Sequence, residues 1–336
     1  MKNLKLQFLE VSDVLELGNP AIIEKDFWVV ALLAELEKMK FDTHQMVFSG
    51  GTALAKSNIK ILRMSEDVDI KLIPSDSFRE LSRAKKKTAR KALIDSLETA
   101  VAQTDNFSVE QRLVRDEYRY VEFELKYPQQ FSQAPCLRPI IKLELMETIS
   151  LHGTELRSIQ SLVAELYKQP QEVEAFDCIA INATLVEKIL SMLRRTASVI
   201  RDPTRNDDTA LVRHIYDVHC ITISSEPDLS VLVPLFQTAL KEDLERFGNQ
   251  HHEFVEDPTG ELLMAVYELE DNPIFRQRFD DFVTPMVFNS APHDFDTCFS
   301  SFKSVAVSLI EAVNKKLRLA VLNELSELDQ DLGMGY

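Results

Sequence analysis

The chain has 336 residues, 27% of them charged, with a formal net charge of −16. That length suits about two domains, and so negative a charge excludes a protein that coats nucleic acid nonspecifically, because affinity for phosphate backbones comes mainly from lysine and arginine. No run approaches the roughly 18 to 20 consecutive apolar residues of a membrane span, and charged residues interrupt the first apolar stretch, so a soluble cytoplasmic protein with no membrane partner is expected.

In chain order, residues 4–17 and 21–39 carry apolar positions at helical spacing, the second presenting Ile22, Ile23, Phe27, Val30, Leu33 and Leu36 on one face. A short apolar run, Met46-Val47-Phe48, meets Gly50-Gly51-Thr52, the pattern of a buried strand turning sharply into a helix. Residues 68–73 alternate at period two and predict the next strand. Residues 76–103 read as one helix, with a basic cluster at Arg83, Lys85, Lys86, Lys87, Arg90 and Lys91. Three β-rich runs follow, 107–115, 118–126 and 138–146, and residues 177–181 offer one more. From Thr184 helical spacing returns, punctuated near Pro203, Pro227, Pro258 and Pro273. These elements predict an α+β fold with a mixed, mostly antiparallel sheet flanked by helices, then a mainly α-helical domain, the boundary lying near 175–183.

Charge follows the same division. Residues 221–336 carry about −13, leaving about −3 for the first 220, so any site for nucleotide or RNA is expected in the first two thirds. Cys136, Cys178, Cys220 and Cys298 stand far apart with no Cys-x-x-Cys, which predicts reduced, partly buried thiols rather than disulfides or structural zinc.

The residues that carry chemistry lie in the first part. Positions two apart on a strand share a face, so Asp67 and Asp69 set two carboxylates side by side. Such a pair repels itself unless a cation intervenes, and Mg2+, or Mn2+ in its place, is typically held by one or two carboxylates plus substrate phosphates. The Gly50-Gly51 turn supplies a complement: glycine permits close backbone approach, the N–H groups at a helix start attract phosphate, and Ser49 and Thr52 add hydroxyls. Lys142 and Glu144 again share a face, Glu144 as a third metal ligand or general base and Lys142 as a phosphate contact. Together they point to attack on an α-phosphorus with pyrophosphate leaving.

A strand, Gly-Gly turn and helix, then an Asp-x-Asp strand and a later acidic strand, resemble the nucleotidyltransferase superfamily related to polymerase β. Within it, Glu24-Lys25-Asp26-Phe27-Trp28, Phe48-Ser49-Gly50-Gly51-Thr52, Arg63-x-Ser65-Glu66-Asp67-x-Asp69, Lys142-x-Glu144, Thr184-Leu185-x-Glu187-Lys188 and Arg213-His214-Ile215-Tyr216-Asp217 follow one another much as in the AbiEii/AbiGii-type toxins of toxin–antitoxin and abortive-infection systems. The resemblance implies a nucleotidyltransferase core over 1–180 and a helical domain over 181–336 that completes the nucleotide and acceptor cleft. It implies metal binding by Asp67, Asp69 and Glu144. It further implies nucleotide binding by Ser49, Gly50, Gly51, Thr52, Arg63, Ser65, Lys142 and Lys188, with Asp217 the acidic residue of the last motif. A nucleoside triphosphate, an RNA acceptor such as the tRNA 3′ end and a cognate antitoxin protein are the partners it implies. Two positions depart from the family pattern: Glu144 stands where aspartate is common and Thr184 where glutamine is common.

Plainer readings stand beside these. Lys188 lies on an apolar helical stripe where a lysine can snorkel to the surface, and Asp217 is spaced to pair with Arg213 at i,i+4. Glu24-Lys25-Asp26 reads as bracing. The 83–91 cluster and the stretch Arg194, Arg195, Arg201, Arg205 are either solvated helix faces or contacts for acceptor RNA, with Tyr118 and Tyr120 available for stacking. Nucleotidylation of a protein or small molecule, or a catalytically silent nucleotide-binding regulator, are the competing functions.

Overall fold

A computed structural model describes residues 2–132, 137–148, 153–288 and 292–333, and the side chains among residues 4–315 of those spans. Cys136 lies outside them; Cys178, Cys220 and Cys298 are buried free thiols. The chain divides into two units, residues 1–184 with 285–292, and residues 185–284 with 293–336.

In the first unit, α1 (Lys2–Val14) precedes α2 (Pro20–Glu37). Asn19 caps α2 by accepting from the Ala21 N–H, and Pro20 occupies the first turn, where a missing N–H costs nothing. Then come β1 (His44–Ser49), α3 (Gly50–Ala55), β2 (Asp67–Pro74), α4 (Asp76–Arg79), α5 (Arg83–Ala102), β3 (Ser108–Arg115), β4 (Tyr120–Lys126), β5 (Ile141–Glu147), β6 (Thr154–Ile159), α6 (Leu162–Leu166) and β7 (Val173–Ile179). Among the described residues seven strands form one sheet in the order β3-β4-β5-β2-β1-β7-β6. It is mixed as expected: β2 runs parallel to β5 and β1 to β7, and the other neighbours are antiparallel.

Period-two alternation sorts the side chains. Val68, Ile70, Val121, Phe123, Leu143 and Leu145 join the core with Val29, Leu33 and Leu36 of α2 and Leu93, Ile94 and Leu97 of α5. Each such buried side chain contributes roughly 1.5–3 kcal/mol by leaving water. The alternate positions, Asp67, Asp69, Lys142 and Glu144, are only half-buried. The sheet thus has a dry side that fixes register and an opposite face that collects charge.

Three local expectations change. The single helix over 76–103 is two, because Ser75 caps α4 through the Phe78 N–H and a new helix begins after Ser82. Strand β4 starts at Tyr120 rather than 118, since Asp116, Glu117 and Tyr118 take left-handed φ values of 45°, 52° and 69°. Residues 138–140 precede β5 instead of belonging to it.

The second unit is helical among its described residues: most of α7 (Ile181–Arg201), then α8 (Arg213–Ser224), α9 (Leu229–Phe247), α10 (His252–Glu256), α11 (Pro258–Asp271), α12 (Ile274–Phe282) and α13 (Phe295–Gly333). Helix α13 packs against α8, α9, α11 and α12. Its Phe295, Phe299 and Phe302 form a stacked row that Phe279 of α12 meets edge-on. No helix among the described residues is long and apolar enough to cross a membrane.

Residues 285–292 belong with the first unit although they follow α12. Met64 N–H donates to Met286 O at 2.8 Å and Phe288 N–H to Leu62 O at 2.9 Å, a short antiparallel pairing around Arg63 and Val287. This pins the approach to the Asp-x-Asp strand.

Candidate active site

The turn between β1 and α3 is built on two glycines. Gly50 has φ +77°, and a β-carbon there would lie 1.9 Å from Oδ2 of Asp69, so only glycine allows that carboxylate to press against the turn. A β-carbon at Gly51 would meet Ser65 Oγ at 2.8 Å and Arg63 Nη2 at 3.1 Å. The hydroxyls beside the glycines bind protein: Ser49 Oγ donates to Asp69 O at 3.1 Å, and Thr52 Oγ1 contacts Asp67 O and, at 3.0 Å, Ser65 Oγ. Ser49, Thr52 and Ser65 therefore fasten the turn to the start of β2. Arg63 is buried and donates to Met64 O at 2.8 Å.

Sheet register assembles the acidic face. Asp69 stands opposite Ser49 of β1 and opposite Glu144 of β5, and Glu144 stands opposite Glu122 of β4, a row of three carboxylates across adjacent strands. Asp67 pairs in register with Lys142. Lys142 Nζ bridges Glu144 at 2.6 Å and Glu122 at 2.9 Å, and Tyr120 Oη donates to Glu122 at 2.8 Å and Glu144 at 3.1 Å. Burial alone would raise the Glu122 carboxyl, but its hydrogen bonds from Lys142 and Tyr120 hold it below the usual range. Burial likewise opposes the Lys142 charge, and the two glutamates overcome it and raise the ammonium. Burial and then those acids push the Tyr120 phenol far up, so it stays a donor.

Asp67 is held from the other side. Arg138 Nη2 donates to both of its carboxylate oxygens, at 2.6 and 2.7 Å, while Arg138 Nε donates to Glu66 at 3.0 Å. The donor set of Asp67, Asp69 and Glu144 is all oxygen and fits a hard divalent cation. Yet among the described residues no three acidic, histidine or cysteine side chains converge as a metal-binding group. Two of the three expected ligands, Asp67 and Glu144, are engaged by the cations of Arg138 and Lys142.

Beneath this face, Glu24-Lys25-Asp26 braces three segments. Glu24 accepts from the Gln130 and Phe131 N–H groups, Lys25 Nζ donates to Glu66 at 2.5 Å and Arg138 O at 2.8 Å, and Asp26 accepts from Leu162 N–H at 2.7 Å and pairs with Lys56. In the second unit, Lys188 and Asp217 are buried and pair at 2.8 Å, so Lys188 is no surface lysine, and the structure joins these two expected site residues to each other.

A family model, described as "Nucleotidyl transferase AbiEii toxin, Type IV TA system", matches residues 31–301. The chain belongs to that family. As a member of the AbiEii family it is a nucleotidyltransferase, the toxin of a type IV toxin–antitoxin system whose chemistry takes a nucleoside triphosphate and whose action is countered by an antitoxin. Among solved structures it resembles MenT4, a nucleotidyltransferase toxin from Mycobacterium tuberculosis, with a TM-score of 0.54 and 15% identity over 90% of this chain and 89% of that one, a likeness of fold. No curated protein matches.

Against the AbiEii motifs, the structure brings Gly50, Gly51, Asp69 and Glu144 together, sets Asp67 and Lys142 beside them, and places Lys188 with Asp217 in the second unit. Thr184, where the family often has glutamine, is buried and its hydroxyl donates to Ala180 O, an ordinary helix contact. Sequence reading missed Glu122, Tyr120 as a hydrogen-bond donor, and Arg138. Glu122 could have been found from its spacing on a strand of alternating acids; nothing local marks Arg138. Several members of the basic stretches are engaged. Arg90 is buried on Glu147, Arg83 pairs with Glu117, and Arg194, Arg195 and Arg201 pair with Asp243, Asp208 and Glu261. The rings of Tyr118 and Tyr120 already lie under Arg112 and Arg115.

Proposed function

We propose that this toxin transfers a nucleoside monophosphate from a nucleoside triphosphate to the 3′-terminal hydroxyl of tRNA in the cytoplasm, blocking translation. The observation that carries the reading is the register of Asp69 with Glu144 beside the Gly50 turn, which sets two carboxylates where a triphosphate would meet the turn. A divalent cation, Mg2+ or Mn2+, would be held by Asp67, Asp69 and Glu144, and would neutralise phosphate charge and polarise the α-phosphorus. Lys142, poised between Glu144 and Glu122, exchanges a carboxylate for phosphate oxygens when the nucleotide arrives. The acceptor oxygen attacks the α-phosphorus, a new P–O bond forms, the bond to the bridging oxygen breaks, and pyrophosphate leaves with the electron pair. The hydroxyl proton passes to Glu144 where that residue acts as base, or to water where it completes the cation's oxygen set.

Incubation of the intact protein and its Asp69→Ala variant with magnesium, each labelled triphosphate in turn and total tRNA tests this. Label on tRNA with the intact protein alone is the expected outcome, and the productive triphosphate identifies the base. A second reading, nucleotidylation of a protein or small molecule, draws support from the pairing of Arg194, Arg195 and Arg201 with acids of the same chain, which offsets charge an RNA would use. Label on protein or small acceptors and none on tRNA would establish it.

A further inference from the structure

We propose that Arg138 serves as the resident counter-ion of Asp67, surrendering that carboxylate to the divalent cation and turning its guanidinium to the triphosphate. The inference rests on the metal-dependent reading above. Its support is the division of labour within one side chain. The main chain of Arg138 is fixed: its N–H donates to Glu66 at 2.9 Å, its carbonyl accepts from Lys25 at 2.8 Å, and Pro139 restricts its backbone to extended conformations. Nε is anchored to Glu66, whose side chain is 5% exposed. Nη2 donates to both oxygens of Asp67, and that half of the contact lies toward solvent, with Arg138 40% and Asp67 24% exposed.

Breaking the Nη2 contact therefore leaves the Nε anchor intact. A carboxylate whose two oxygens both accept from one guanidinium nitrogen has little charge left to offer a cation, and a cation arriving there would face the guanidinium at close range. Exchange relieves both: the cation takes Asp67, and the displaced Nη2 stays within a short swing of the phosphates that the cation brings. Arginine suits this role because its fork can keep one donor anchored while another changes partner. The contact makes the acidic face hold cation poorly until nucleotide supplies a new partner for Arg138.

The test is Mn2+ binding to the whole protein without nucleotide, followed by electron paramagnetic resonance, for the native chain, Arg138→Gln, Arg138→Lys and Arg138→Gln with Asp67→Asn. Removing the counter-ion is expected to tighten Mn2+ binding about tenfold. Arg138→Lys should fall between, and the added Asp67→Asn should abolish the gain. In turnover, Arg138→Gln should raise KM for the triphosphate while Mn2+ binding tightens, a pair of opposite shifts that a merely structural clamp would not give. Melting temperature identifies any variant that fails to fold, and Arg138→Lys then carries the test. Equal or weaker Mn2+ binding by a folded Arg138→Gln, or no Mn2+ binding by any variant, would overturn the proposal. Tighter Mn2+ binding with no label transfer by the native protein to any acceptor would leave the counter-ion role standing and sink the transfer reading instead.

Discussion

Glu144 and Glu147 leave the same strand three residues apart and meet opposite fates. Glu147, with 9% of its side chain exposed, is closed in by Arg90 at 2.6 and 2.7 Å and His44 at 3.1 Å. Glu144 is half-buried and is met by Lys142 and Tyr120, which it shares with Glu122 of the acidic row. Each pairs a carboxylate with a cation. The difference is access: where water and substrate cannot enter, the pair holds elements together, and where they can, its partners are exchangeable. The same contrast separates the two ends of Arg138, buried on Glu66 and open on Asp67.

Neutralising the open member should cost activity and spare the fold. Glu144→Gln is expected to lower the initial rate of label transfer by about a thousandfold, the scale found when one group aimed at transition-state charge is lost. Its melting temperature should stay within about 2 °C, because Lys142 keeps its partner Glu122 and the amide can still accept from Lys142 and Tyr120. Full activity in Glu144→Gln would erase the distinction between the two glutamates.

Neutralising the closed member should do the reverse. In Glu147→Gln, Arg90 is left buried without its countercharge, at a cost of about 3 kcal/mol in denaturant unfolding, while transfer by the folded protein persists. Burial would lift the Glu147 carboxyl, but hydrogen bonds from His44 and Arg90 prevail and bring it from the ordinary 4.5 to about 2. Because the folded value is the lower one, its contribution is complete above about pH 4.5 and is lost as pH falls toward 2. Native stability should decline across that window more steeply than that of Glu147→Gln, and parallel pH profiles would show that the closed pair stabilises nothing.

How much of this was legible in the sequence depends on whether the signal is local. The Asp67–Asp69 face and the Gly50 turn were readable because period-two burial and glycine chemistry act within a few residues. Strand β6 was not, because it is mostly exposed and carries no apolar alternation. The break between α4 and α5 has neither proline nor glycine in it, so helical spacing ran through. For Asp217 the spacing offered its helical neighbour Arg213 beside a site role, and the pairing with Lys188 of another helix depends on tertiary packing that no local signal marks. Arg138 lies 71 residues from Asp67, and only the placement of β5 beside β2 brings them together.

The finest test of the open site is Tyr120, whose hydroxyl touches both glutamates of the acidic row. Tyr120→Phe removes one shared donor and leaves shape and charge alone, so the effect should be about 1 kcal/mol, or roughly fivefold in transfer rate. Its direction is informative. The hydroxyl favours the ionised form of Glu122, which holds Lys142, so its loss should move the acidic limb of the rate profile toward higher pH. The rate at low pH should then fall further than the rate at neutral pH. An unshifted profile with a uniform loss would assign Tyr120 to orienting Lys142 and the carboxylates, and would place the acidic limb on another group.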